Sequence, residues 1–377
     1  MKKEMRTLSL AAIAIGVAVC ASVAPAFAAA PEIKLGGLLF AQATDITSPR
    51  NIGGEDASGR TSFDVTRIYV IADAKFDEHW KSRFILEANT IGGPQTAAGT
   101  NNQADNAVFL KQAWLEYSNL LDAGINIQGG QIGTSWDALE STIWNHRYVQ
   151  KSYADFNGIT PTADKGVGVY GKLPQGYGDY NAQIVNGEGI AVTEATSGAA
   201  GRQKDYSFLL SVIPVPQSEY LKGLRLNGYV AQGQSGNLST DAVPVLLPNR
   251  ERNRTFFGAS YKSDAWHLMY TYYIADTGTA ATTFAKAANT TSRGYSVHGE
   301  YALPWYALSL FARYDRFDAG TMVNYAPVST TIGGIEEKFN DNVRIALSDQ
   351  YRHSQSGAGT RVTTNENQLG LFAEAKF

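Results

Sequence analysis

Asn367-Gln368-Leu369-Gly370-Leu371-Phe372-Ala373-Glu374-Ala375-Lys376-Phe377 carries an apolar residue at every second position counted back from Phe377. A repeat of two puts Phe377, Ala375, Ala373, Leu371 and Leu369 on one face of a β-strand. Lys376, Glu374, Phe372, Gly370 and Gln368, mostly polar or small, fall on the other. Two structures use such a strand. One is the last strand of a soluble sandwich; the other is the closing strand of a barrel whose outside meets lipid and whose inside meets water.

The opposite end favours the second. Lys2, Lys3 and Arg6 precede an apolar stretch from Leu8 to Val23, and Ala26-Phe27-Ala28 is a small-x-small cleavage site, so residues 1–28 read as a cleaved secretory signal. Cys20 follows Val19 where a lipid-attachment signal wants a small residue, so it is expected to leave with the signal. The mature chain then has no cysteine and reaches an oxidising compartment without disulfides. Losing the signal's charges takes the formal net charge from −3 to −5, which argues against nucleic acid as a partner. Thirty-seven Gly, twenty Tyr and sixteen Phe suit a β-rich chain with many turns. Beyond the signal there is no apolar run of about eighteen residues, which excludes a helical membrane protein but not a barrel, where lipid-facing and lumen-facing residues alternate.

Periodicity predicts sixteen strands over residues 33–42, 63–76, 80–90, 107–118, 124–133, 165–173, 178–187, 204–213, 222–233, 253–263, 265–275, 292–302, 305–317, 329–339, 342–351 and 366–377. The gaps between them alternate long and short without a break. The short ones centre on Asp77-Glu78-His79, Leu120-Leu121-Asp122, Pro174-Gln175-Gly176, Pro214 to Tyr220, Asp264, Leu303-Pro304 and Asn340-Asp341. This rhythm predicts an all-β fold: a transmembrane 16-stranded antiparallel up-and-down β-barrel over residues 29–377, with long extracellular loops and short periplasmic turns. In lipid the sheet must close, because an open edge leaves backbone groups unpaired.

Faces follow from the alternation. Ile68, Val70, Ala72, Ala74 and Phe76 are expected outside, with Arg67, Tyr69, Asp73 and Lys75 inside; Trp80, Phe84, Leu86 and Ala88 outside, with Lys81, Arg83, Glu87 and Asn89 inside. Trp266, Leu268, Tyr270, Tyr272 and Ile274 share a face, and Leu308, Leu310 and Ala312 oppose Ser309, Arg313 and Asp315. Phe76, Trp80, Trp266, Trp305, Tyr306, Phe339 and Phe377 gather beside short turns, where an aromatic girdle belongs. An arginine at mid-depth on the lipid face costs ~2–4 kcal/mol. Arg67, Arg83, Arg225, Arg313 and Arg344, central in their strands, are therefore assigned to a wet interior. With them go Lys81, Glu87, Glu116, Asp315 and Glu374.

Several segments resemble the phosphate-selective porin O and P family of Gram-negative outer membranes. Lys165-Gly166-Val167-Gly168-Val169-Tyr170-Gly171-Lys172-Leu173 followed by Gly178-Asp179-Tyr180-Asn181-Ala182-Gln183-Ile184-Val185-Asn186-Gly187 is similar to that family's hairpin. So are Lys204-Asp205-Tyr206 running to Pro214, Phe63 to Asn89, and Gly130-Gln131-Ile132 opening a long loop that holds Leu139-Glu140-Ser141. The resemblance implies a sixteen-strand barrel, usually trimeric, with its third external loop folded into the channel as a constriction. It implies passive diffusion of small hydrophilic solutes, small anions such as phosphate or carboxylates among them, in a Gram-negative outer membrane beside lipopolysaccharide.

Here residues 134–164 are the third and longest gap, with Trp136, Asp137, Glu140, Trp144, His146, Arg147, Lys151, Tyr153, Asp155 and Asp164. Trp136, Asp137, Glu140, Arg147 and Lys151 are the candidate constriction residues. Four acids against two bases in this segment depart from a phosphate-selective pattern, which relies on concentrated basic residues. His79, His146, His267, His298 and His353 show no metal-ligand spacing, so neither metal nor cofactor is expected. No Gly-x-Ser-x-Gly elbow or phosphate loop is present, and no catalytic residues are assigned. The competing expectations are a non-conducting barrel acting as an adhesin or structural surface protein, and a secreted ligand-binding sandwich.

Overall fold

The computed structural model describes residues 30–48, 51–52, 55–56, 58–90, 106–187, 189–190, 204–235, 250–276, 291–304, 306–318, 327–356 and 362–377. The expected signal (residues 1–28) and the girdle residue Trp305 lie outside these. Sixteen strands form one closed antiparallel barrel: β1 (Glu32–Ile46), β2 (Arg60–Lys75), β3 (Trp80–Thr90), β4 (Asn106–Leu120), β5 (Ile125–Gly133), β6 (Ala163–Lys172), β7 (Gly178–Val185), β8 (Asp205–Val212), β9 (Leu224–Gln232), β10 (Arg254–Lys262), β11 (Trp266–Asp276), β12 (Thr291–Ala302), β13 (Leu308–Asp318), β14 (Val328–Lys338), β15 (Val343–Ser356) and β16 (Val362–Lys376). Each strand pairs with its neighbours in sequence, and β1 pairs with β16 from Leu38↔Lys376 to Ile46↔Gln368. Among the described residues no helix is long and apolar enough to cross a membrane.

All sixteen expected strands are present, and the differences sit at their ends. β1 and β15 run past the expected 42 and 351 to Ile46 and Ser356. There the alternation of apolar and polar residues has stopped while the ladder of backbone hydrogen bonds continues. Strand β13 starts at Leu308 rather than 305 because a tight turn consumes the preceding residues: Leu303 N donates to Leu308 O at 2.9 Å and Tyr306 N to Leu303 O at 3.3 Å. Pro304, with no N–H to give a ladder, suits that turn. Two short ribbons, Asn51–Ile52 with Glu55–Asp56 and Gln234–Ser235 with Arg250–Glu251, were not anticipated.

The pleat sorts the side chains as alternation dictates. On β2, Val70 is 50% exposed on the outside, whereas Arg67 and Tyr69 are buried inside. Leu268, Tyr270 and Ile274 on β11 and Leu369 and Leu371 on β16 are exposed outside; Met269, Thr271, Tyr273 and Phe372 are buried inside. Phe76, Trp266, Tyr306, Phe339 and Phe377 are exposed beside the short turns.

Phe377 closes the seam. Its N–H donates to Gly37 O at 3.2 Å and its carbonyl accepts from Gly37 N at 2.7 Å. Its ring lies over Gly37 so closely that a Cβ there would collide with it. An aromatic ring covering a cross-strand glycine shields two backbones with one side chain. Gly37→Val and Phe377→Ala should each lower barrel stability by about 1 kcal/mol, the upper range for a cross-strand pair. The double variant should be no worse than either single one. Urea unfolding in detergent micelles checks this, and simple additivity of the two losses would refute the pairing.

Candidate functional site: the interior of the barrel

The segment between β5 and β6 lies inside the barrel. It forms helix α1 (Ser135–Ile143), an irregular crossing, and the short helix α2 (Tyr153–Phe156). Its aromatic residues explain the inward course. Trp136, Ile143, Tyr153, Ala154 and Ile159 pack on the inward residues Leu209, Tyr229, Phe256, Met269, Tyr273 and Ala275 of β8–β11. Trp144, Tyr148 and Val149 pack on Phe40, Tyr69, Ile85, Phe311, Ile332, Ala346 and Phe372 of β1–β3 and β13–β16. One segment therefore touches both sides of the bore. Trp136 stacks on Phe256 with ring centroids 4.7 Å apart, and Tyr153 Oη donates to Arg316 O at 3.0 Å. At Gly294 on β12 the wall comes so near Tyr153 Oη that a Cβ would collide with it. Each fully buried Trp or Tyr here is worth about 3 kcal/mol, the usual penalty for truncating a large aromatic.

The candidate constriction residues are used within the segment. Asp137 and Glu140 are buried. Glu140 Oε2 accepts from Ala154 N at 2.8 Å, capping α2, and Oε1 accepts from Thr271 Oγ1 of the wall at 3.4 Å. Burial pushes the Glu140 carboxyl up to about 7 despite the Ala154 amide, which opposes the shift. Burial likewise raises Asp137, against the pull of Arg147. Asp137 Oδ1 accepts from Ser152 Oγ at 2.7 Å, while Arg147 reaches Asp155 at 3.2 Å and Lys151 reaches the same carboxylate at 3.5 Å. The acids expected to face solute thus hold the segment's own turns together. Trp136 presents its ring to the wall.

The inward charges fall into two groups. Lys81, Arg83 and Glu116 line an open cavity of about 620 Å³ at the short-turn end, together with Lys34, Asp73 and Lys75. Arg225 lines a second cavity of about 480 Å³ with Lys172, Lys262 and Asp179. Ion pairs run along the wall in both: Arg83 forks onto Asp73 at 2.6 and 2.9 Å, Lys81 meets Glu116 at 2.8 Å, and Arg225 meets Asp179 at 2.6 Å. Arg67, Glu87, Arg313, Asp315 and Arg344 also point inward but are buried under the crossing segment, not set on open water. Arg67 Nε lies 2.9 Å from Glu87, which Lys111 also meets at 2.7 Å. Arg313 forks onto Asp315 at 2.9 and 2.6 Å and donates to Lys151 O at 2.5 Å. Arg344 forks onto Glu374 at 2.8 and 3.0 Å and donates to Asn145 O at 2.6 Å. Two wall arginines thus hold the segment by backbone carbonyls.

Sequence reasoning missed Lys111, which sits beside the bulge between Ile85 and Leu86 where the alternation slips. It missed the buried group of Asp205 with Arg252 and Arg254, at 2.8 and 3.4 Å. Glu336 is buried inside the barrel rather than solvated, and accepts from Tyr148 Oη at 2.5 Å. The histidines do not stay scattered as their spacing implied. His146 of the crossing segment comes within 3.4 Å of Glu336, and His267 within 3.3 Å of Glu300.

With this geometry in hand, solved structures provide the comparison. The outer-membrane channel DcaP of Acinetobacter baumannii matches at a TM-score of 0.61 and 13% identity, over 93% of this chain and 98% of that one. An anion-selective porin from Comamonas acidovorans matches at 0.61 and 10%, over 92% and 100%. The outer-membrane expressed OmpT of Vibrio cholerae matches at 0.59 and 12%, over 93% and 99%. No protein-family model matches the chain, and a search of curated proteins finds no match. The fold is the 16-stranded barrel shared with these outer-membrane proteins. At such identities the likeness establishes architecture and nothing finer.

Proposed function

We propose that this protein is a Gram-negative outer-membrane porin through which small hydrophilic solutes diffuse passively. The observation that carries the reading is the crossing segment: a closed barrel with an apolar outside holds a packed strap across its bore, with charged open cavities of about 620 and 480 Å³ beside it. A strap fixed to both walls sets the size limit, and charge preference belongs to the cavity residues. Lys172, Arg225 and Lys262 face the single acid Asp179 in the second cavity, which supports a weak preference for small anions there, whereas Lys34, Lys75, Lys81 and Arg83 are matched by Glu32, Asp73, Asp77, Glu78 and Glu116 in the first. Arg83 is already forked onto Asp73 and Arg225 is paired with Asp179, which argues against a dedicated phosphate ladder of the kind the porin O and P resemblance implies.

The outer face supports a homotrimer. Tyr206, Phe208, Phe257, Tyr270 and Tyr314 stud β8–β13, whereas β1–β4 expose Leu35, Phe63, Val65, Val70, Leu115 and Val108 with alanines between. Away from Trp80 and Tyr117 at its short-turn end, this face is short of Tyr and Trp, which suits protein rather than lipid as its neighbour. Lipopolysaccharide and outer-membrane lipid cover the remainder.

Stepwise single-channel conductance of purified protein in a planar bilayer tests the porin reading. Silence across preparations favours the non-conducting adhesin, whose supporting observation is the same tight packing of the strap. A sharper test concerns charge. Arg83→Glu places a second carboxylate beside Asp73 in the larger cavity and should move the reversal potential in a salt gradient towards cation preference, with the barrel still folded. An unchanged reversal potential would remove Arg83 from the permeation path.

A further inference from the structure

Beneath the strap, three residues distant in sequence converge. His146 lies between α1 and α2, Glu300 near the end of β12, and Glu336 near the end of β14; one ligand atom from each lies within 4.8 Å of the other two. His146 is 1% exposed, and its Nε2 is 3.4 Å from Glu336 Oε2 without forming a hydrogen bond to any group in the structure. Glu300 Oε2 is likewise without a hydrogen-bond partner. A buried imidazole nitrogen and a buried carboxylate oxygen left unsatisfied side by side are expensive unless something sits between them.

We propose that His146, Glu300 and Glu336 bind a divalent first-row transition-metal ion, zinc being the simplest occupant, and that the ion pins the strap to the barrel wall. One nitrogen and two carboxylate oxygens make a ligand set that zinc accepts, with a fourth position open to water. Calcium and magnesium demand an all-oxygen shell and fit less well. The surrounding groups orient the ligands. Tyr148 Oη donates to Glu336 Oε2 at 2.5 Å and Arg344 Nη1 reaches the same oxygen at 3.3 Å, which holds the carboxylate facing His146. His267 faces Glu300 across β11 and β12 with its Nδ1 3.3 Å from Glu300 Oε2, and neither atom has a hydrogen-bond partner. Two carboxylates offset by the one nearby guanidinium leave a net negative pocket suited to a cation.

The ion would add a further tie between strap and wall, beside those made by Arg313, Arg344, Tyr153 and Glu140, and it stands whether or not the barrel conducts. The test uses full-length, tag-free protein in detergent, stripped with EDTA and titrated with zinc chloride in a calorimeter at neutral pH. The expected result is about one zinc per chain, saturable and unaffected by excess magnesium. His146→Phe, which keeps a ring stacked near Phe311, and Glu300→Gln should each weaken binding roughly tenfold or more. Binding that is absent from the native protein, or unchanged from native in either variant, overturns the proposal. Should a variant fail to fold, cobalt(II) added to the native protein decides: visible absorption bands of a site with nitrogen and oxygen ligands support the assignment, and the spectrum of the hydrated ion alone overturns it.

Discussion

Excising residues 135–160 and joining the ends with two glycines should raise single-channel conductance several-fold while leaving a folded, heat-modifiable barrel. The strap crosses the bore and is held on one side by Trp136 and Tyr153, on the other by Trp144 and Tyr148. Its removal would clear the volume between the two wall clusters. The wall should survive, because its buried charges are paired with each other as well as with the strap. Arg313 keeps its fork on Asp315, and Arg344 keeps its fork on Glu374. What they lose are the carbonyls of Lys151 and Asn145, which water in the widened bore replaces. Sixteen strands keep their ladder in either case. A milder form of the same test is Trp136→Ala, which removes about 3–5 kcal/mol of docking from one side. It should give a channel of normal mean conductance that flickers to larger values. If excision leaves conductance unchanged, the strap does not set the size limit and the porin reading loses its gatekeeper.

The barrel was legible because lipid is a strict reader of alternation. Leu369, Leu371, Ala373 and Ala375 must be apolar, and no substitution on that face hides among loops. The same strictness failed where the outside is no longer lipid: β15 continues through Arg352 and His353 with no periodic signal, carried by backbone pairing alone. The interior was legible only in outline. Inward orientation of Arg313 and Arg344 followed from parity, but parity carries no information about what covers them. Their partners, Lys151 O and Asn145 O, are some 160 to 200 residues away in sequence and belong to a segment whose path is fixed by packing. Helix α1 hid for a related reason. Residues 134–164 are short on periodicity because both sides of the strap are contacted, one by each wall. The histidines show the limit most clearly: His146, Glu300 and Glu336 obey no spacing, since the barrel's closure, not the local chain, brings them together.

Arg344→Met should destabilise the barrel by about 3–5 kcal/mol, the usual result of removing one partner from a buried charge pair. The guanidinium serves four groups at once. It forks onto Glu374, reaches Glu336 at 3.3 Å, donates to Asn145 O, and lies 4.7 Å from the centre of the Tyr148 ring. Methionine preserves much of the volume and the contact with Tyr148, but it leaves two carboxylates, Glu336 and Glu374, without their main cation. Lys376, 3.3 Å from Glu374 and half exposed, can offset part of that loss. The double variant Arg344→Met, Glu374→Met removes one of the two stranded charges and leaves Glu336, so it should recover part of the stability lost by the single change. That recovery is the signature of a desolvated pair. Urea midpoints of the two variants in lipid vesicles measure it, and a conductance trace of the single variant reports the freed strap as added noise. Had Arg344 stood in open water, neutralising it would shift ion selectivity and leave the unfolding midpoint where it was. The two readouts therefore tell a structural clamp from a selectivity residue, and the four short contacts to Arg344 place it with the clamps.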